Sequence, residues 1–193
     1  MIEALPWYVT RAAGMVSLVL LTAVVCLGLL TAARWQRPGW PRFLTAEVHR
    51  SIALLSVVFL VVHVVVAVVD PYTALGWASA LVPFSSPYRQ VWLGLGGVSM
   101  YLVAAMIVTS LLRGRIGRRT WRAIHLTAYA SWPLAVVHGL GTGTDSAAAW
   151  SWVVNAACAM AVGGALVLRL RAHQEERAAV ETALPMTSGS GFR

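Results

Sequence analysis

The chain has no lysine and little charge of any kind. It carries 7 Asp and Glu against 15 basic residues, all of them arginine, and charged residues make up 11% of its 193 positions. An ordinary soluble domain is about 25% charged. With 59% of residues hydrophobic and long apolar runs recurring along the chain, the apolar surplus is expected to face lipid rather than fill a soluble core. The net charge of +8 does not point to nucleic acid, because the arginines cluster in short segments between apolar runs. Cysteine is scarce too. Cys26 and Cys158 both lie inside apolar runs and read as small packing residues. No Cys-x-x-Cys-His occurs, which excludes a covalently attached c-type haem. No Gly-x-Gly-x-x-Gly follows a strand, so no dinucleotide-binding unit is expected. Gly94-x-Gly96-Gly97 falls inside an apolar run and reads as small-residue helix packing.

Five runs are long and apolar enough to cross a bilayer, which takes about 20 residues each. They cover roughly residues 12–33, 45–69, 91–112, 121–140 and 150–170. The first follows Glu3, Pro6 and Trp7 rather than a basic start and reads as a retained membrane helix, not a cleaved signal. The fourth is the most polar, with two histidines, Thr127, Tyr129, Ser131 and Pro133, and is expected to face the bundle interior. The expected fold is therefore all-α, an integral membrane bundle of five transmembrane helices in a multi-pass plasma-membrane protein. Residues 1–170 form the transmembrane domain and 171–193 a cytosolic tail, helical and then disordered past Pro185.

Arginine placement sets the expected orientation. Arg34, Arg37 and Arg42 follow span one, Arg113, Arg115, Arg118, Arg119 and Arg122 follow span three, and Arg169, Arg171 and Arg177 follow span five. The other two connections hold Arg89 with Asp70, and Asp145. The positive-inside rule places the amino terminus outside and the carboxyl terminus inside. Tryptophans 7, 35, 40, 77, 121, 150 and 152 fall near span ends, as interfacial anchors do. In the long outer connection, residues 75–84 are expected to form a short amphipathic helix.

Four histidines carry the chemistry. His49 and His63 stand at i and i+14 on span two, and His125 and His138 at i and i+13 on span four. Ionisable residues inside a membrane are costly and point to function. Spans two and four run the same way, so a rise of about 1.5 Å per residue pairs His49 with His125 near the inner surface and His63 with His138 about 20 Å further out. Two imidazoles from facing helices are what a six-coordinate haem requires. In azimuth, His49 and His63 share a face. The i+13 interval falls roughly 140° short of whole turns on an ideal helix, which sets His138 off the His125 face. Pro133 lies between them, and local overwinding there would restore the phase.

The two histidine pairs resemble those of the ferric reductase transmembrane domain of the NADPH oxidase superfamily, in the form of its short actinobacterial members. So do the stretches His49-Arg50…His63, Asp70-Pro71-Tyr72, Val82-Pro83-Phe84…Tyr88-Arg89…Trp92-Leu93-Gly94-Leu95-Gly96 and His138-Gly139…Gly143-Thr144-Asp145. The resemblance spans about Trp7 to Leu170. It implies two b-type haems, the inner on His49 and His125 and the outer on His63 and His138. It also implies electron flow from a separate cytosolic flavoprotein or quinol to an extracytoplasmic acceptor such as ferric iron, oxygen or a partner protein. The membrane partner of periplasmic methionine sulfoxide reductase is a close variant. Two departures stand out: five spans rather than the superfamily's six, and no flavin or nicotinamide domain within these residues, so NADPH oxidation by them alone is not expected.

Arg50 and Arg122 near the inner ligands are candidates for haem propionates, equally well explained by the positive-inside rule. Arg89, which that rule does not explain, is expected with Tyr88 to hold outer propionates or the acceptor. Asp70, Tyr72 and Asp145 either line an acceptor site or are solvated loop residues. Trp132, midway in depth, either lies between the haems or packs the core. A competing function is a zinc or copper transporter or sensor. Against it, no acidic residue lies in mid-membrane, and the histidines sit at two levels.

Overall fold

The computed structural model of the chain is all-helical, described over residues 5–33, 42–71, 73, 75–145 and 147–183, with no strand among them. Arg34, Trp35, Arg37, Trp40, Tyr72 and residues 184–193 lie outside the described residues. The helices are α1 (Leu5–Ala32), α2 (Arg42–Val69), α3 (Gly76–Leu81), α4 (Gln90–Leu111), α5 (Arg118–His125), α6 (Ala128–Thr142) and α7 (Ala149–Ala183). Of these, α1, α2, α4 and α7 are long and apolar enough to span a bilayer. The last span and the start of the tail form one continuous helix, and α3 occupies the middle of the segment expected to be a short helix.

The segment expected as the fourth span is two helices, of 8 and 15 residues, each shorter than the roughly 20 needed to cross alone. Pro133 lies inside the second of these helices, downstream of the break. It has no N–H to donate, and its ring crowds the carbonyl of the residue four before it, here Tyr129. The chain just upstream tightens. Thr127 N–H donates to Ile124 O (3.0 Å), Tyr129 N–H to Leu126 O (3.1 Å) and Ala130 N–H to Thr127 O (2.9 Å). Bonds of this short interval belong to 3₁₀ winding, which turns further per residue than an α-helix.

Packing centres on α1. It lies along α2 and also touches α6 and α7, while α4 packs against α6 and α5. In contrast, α2 has no extensive packing on α5 or α6, and a gap runs between them; α3 links α2 to α4 at one end. Val25, Leu29 and Ala165 form the buried cluster, joined by Cys26, Trp132 and Val162. Leu54, Val58, Val61, Val62 and Val65 of α2 are exposed, on the side opposite His49 and His63, as a lipid-facing stripe requires.

Small polar residues tie the helices. Ser17 donates to Ser56 O (3.2 Å) and Ser56 to Ser17 O (3.3 Å), a reciprocal pair between α1 and α2. Ser99 donates to Ser131 O (2.8 Å), joining α4 to α6. Trp132 Nε1 donates to Thr22 Oγ1 (2.8 Å), joining α6 to α1. Arg11 near the start of α1 is ion-paired to Asp145, bonded to Thr144 and stacked on Trp7 (4.2 Å), which pins α1 to the α6–α7 connection.

Hydrogen bonds between membrane helices average about 0.6 kcal/mol and reach about 1.7 kcal/mol. Ser17→Ala with Ser56→Ala should therefore cost about 1 kcal/mol in a detergent unfolding titration. A loss above about 4 kcal/mol, beyond two bonds of the strongest kind, would mean that the pair does more than join two helices.

Candidate cofactor site

Four rings face the gap between α2 and α5–α6. His49 from α2 meets His125 at the end of α5, with ring centroids 6.4 Å apart. His63 from α2 meets His138 of α6 at 6.2 Å. The pairing shows that α2 and α5–α6 run parallel. The helix rise separates the two levels by about 20 Å. The phase deficit of an ideal helix between His125 and His138 is absorbed at the break, because two short helices with tightened winding between them set their azimuths separately.

The rings are held from behind. His63 Nδ1–H donates to Thr10 O of α1 (2.7 Å) and His138 Nδ1–H to Trp92 O of α4 (2.9 Å). His49 lies beside Gly28 of α1. A donor bond from Nδ1 selects the tautomer with a free lone pair on Nε2, which is the state of a metal-ligating imidazole. His125 is held differently, by stacking on Trp121 (4.9 Å, 22° between planes). Trp121 is fixed in turn by its Nε1–H bond to Ser110 Oγ (3.4 Å) and by Arg113 over its ring (4.9 Å). An interfacial anchor in the sequence thus doubles as a wall for the imidazole.

The family model for the ferric reductase like transmembrane component matches residues 13–136. The chain belongs to this family. Neither the curated proteins nor the solved structures contain a match. Family membership and the four apolar helices make the chain a multi-pass membrane protein of a transmembrane electron-transfer class. The matched segment holds three of the four paired histidines and ends just short of His138.

Other candidate residues of this ferric reductase-like chain separate by location. Arg89, at the head of α4, donates to Gly141 O, close beyond His138, and its guanidinium stands 5.7 Å from the Tyr88 ring. Its φ of +42° is uncommon for a residue other than glycine. Arg50 and Arg122 are exposed on α2 and α5. Trp132 packs against the Val25–Leu29–Ala165 cluster and bonds Thr22, so it is a core residue of the α1–α6 contact. Asp145, partly exposed in the α6–α7 connection, is ion-paired to Arg11. Arg11 escaped the reading of connections because it sits inside the first apolar helix. Asp70 is buried at the end of α2.

Gly96 packs at the α4–α6 contact, as small-residue helix packing leads one to expect, while Gly94 and Gly97 face the α3–α4 connection. Gly94 receives the Phe84 ring, Gly97 faces Pro83, and Gly96 receives the His138 ring. Trp92, whose carbonyl holds His138, rests on Gly141 of α6.

Proposed function

We propose that the chain carries electrons across the membrane on two b-type haems, one held by His49 and His125 and the other by His63 and His138. The observation that carries this is the spacing of the facing rings. A metal–imidazole bond is about 2.0 Å, and an imidazole nitrogen lies about 1.1 Å from its ring centre, so two imidazoles on one iron have centroids about 6.2 Å apart. The pairs stand at 6.4 and 6.2 Å. The gap between α2 and α5–α6 is where a planar macrocycle would lie, and bundles build cofactor sites between facing helices. When bound, each haem iron supplies one-electron chemistry between its ferric and ferrous states.

The protein's part is ligation and position. His63 and His138 are oriented by carbonyls of α1 and α4, and His125 by Trp121. Among the described residues at the His138 end, Arg89 is the cation whose charge is not already met by a carboxylate, and it suits a propionate. Zinc or copper transport fits less well. Among the described residues no three His, Cys, Asp or Glu side chains converge, whereas a zinc site takes three or four protein ligands. Two imidazoles per level suit an iron whose remaining ligands come from a macrocycle.

The proposed topology has five crossings, with α5 and α6 together making the fourth, the amino terminus outside and the carboxyl terminus inside. It rests on the arginines of the α4–α5 connection and of α7 beyond Leu168. Electrons then come from a cytosolic flavoprotein or quinol at the His49–His125 level, and an extracytoplasmic acceptor takes them at the His63–His138 level.

Three measurements check this. The purified chain should contain two low-spin haems, with His63→Ala and His138→Ala deleting one spectral component and His49→Ala and His125→Ala the other; stoichiometric zinc without haem would sink the proposal. In a background with Cys26→Ala and Cys158→Ala, a membrane-impermeant thiol reagent on whole cells should label Ala147→Cys and spare Gly114→Cys; the reverse pattern would invert the topology. In a redox titration, Arg89→Gln should lower the midpoint of the outer component, since removing a positive charge disfavours the added electron, and leave the inner one nearly unchanged. An unchanged outer midpoint would make Arg89 a helix-end clamp and nothing more.

A further inference from the structure

Two of the four histidines are held by one repeated device. His63 bonds Thr10 O and lies on Gly14, where a Cβ would come within 2.8 Å of Nδ1. His138 bonds Trp92 O and lies on Gly96, where a Cβ would overlap the ring. His49 lies beside Gly28, where a Cβ would sit 3.9 Å from Cε1, an ordinary van der Waals contact. At His63 and His138 the glycine stands at i+4 from the acceptor. This interval has a geometric reason. A helical side chain leans toward the amino end and covers the turn before its own Cα. A side chain at i+4 would therefore stand over the acceptor carbonyl, whose second lone pair is the only one not used by the helix.

The register reinforces the point. Gly14 and Gly28 stand at i and i+14 on α1, and His49 and His63 at i and i+14 on α2. The helices run antiparallel, with Gly14 at His63 and Gly28 at His49. One face of α1 thus meets both histidines of α2, and α4 supplies the second seat.

We propose that Gly14 and Gly96 are positioning residues for the haem ligands: each bares the helix carbonyl that takes the Nδ1–H of one histidine and so aims its Nε2 into the gap. This rests on the haem reading of the histidines and names what sets their orientation. The carbonyl bond fixes the tautomer and raises the basicity of the ligating nitrogen, and loss of such outer contacts costs roughly 10- to 100-fold in metal affinity.

The test uses Gly14→Ala and Gly96→Ala in the full chain, with Gly163→Ala, whose added methyl meets open space, as the control. Haem content, the midpoint of each component and the low-spin EPR g-anisotropy are read together. The g-anisotropy follows the angle between axial imidazole planes, 84° at His63–His138. Both variants should lose the outer haem or bind it roughly 10- to 100-fold more weakly, with a shifted g-value in any haem retained and the inner component intact. Gly28→Ala, whose methyl would meet His49 at ordinary contact distance, should leave the outer component intact. Unchanged outer content, midpoint and g-value in both Gly14→Ala and Gly96→Ala would overturn the inference. So would equal loss of both haems, which marks a general packing defect. Wild-type protein without haem defeats the underlying reading, whereas wild-type protein with two haems and indifferent glycines defeats this inference alone.

Discussion

An imidazole N–H in hydrocarbon has to find an acceptor, because no water is present to take it. In a bundle of helices the available acceptors are backbone carbonyls already engaged in the helix and shielded by the side chains above them. The rest of this structure follows from how that conflict is met. Glycines lie under the rings of His63 and His138 and beside that of His49. They let α1 and α4 approach closely enough for their carbonyls to serve, and that approach makes α1 the hub of the bundle. It also leaves α2 and α5–α6 to face each other across a gap rather than pack.

The apolar runs and the four histidines were legible because hydropathy and intramembrane charge are strong signals. The azimuth of His138 was not, because it depends on winding between Leu126 and Ala130 that an ideal step of about 100° cannot represent. Pro133 announced a disturbance but not where it would fall. The two-helix character of this segment went unseen for the same reason. Arg11 lies just before the first apolar run, inside α1, and its ion pair with Asp145 links positions far apart in the chain. The carbonyls of Thr10 and Trp92 are invisible in principle, since every residue has one. Their glycines are not. Gly14 and Gly28 on one span repeat the interval of His49 and His63 on the next, a pattern that sequence alone displays.

The His125 ring shows what happens without a seat. His125 is steadied by the indole of Trp121, a contact with direction but no acceptor. The two levels are therefore chemically unequal. One has both imidazoles bonded to carbonyls, and the other has an imidazole stacked on an indole, a difference through which outer contacts tune a metal.

The shared interval on α1 and α2 also makes the helix pair a ruler. Inserting a single residue between Gly14 and Gly28 would turn one glycine about 100° away from its histidine, and nothing within α1 could correct it. Only a matching insertion between His49 and His63 would restore contact at both ends, and it would move the two levels apart. Length change in either segment is thus admissible only in step with the other, so α1 and α2 are bound to vary as one unit while α7, which seats no ring, is free of that restriction.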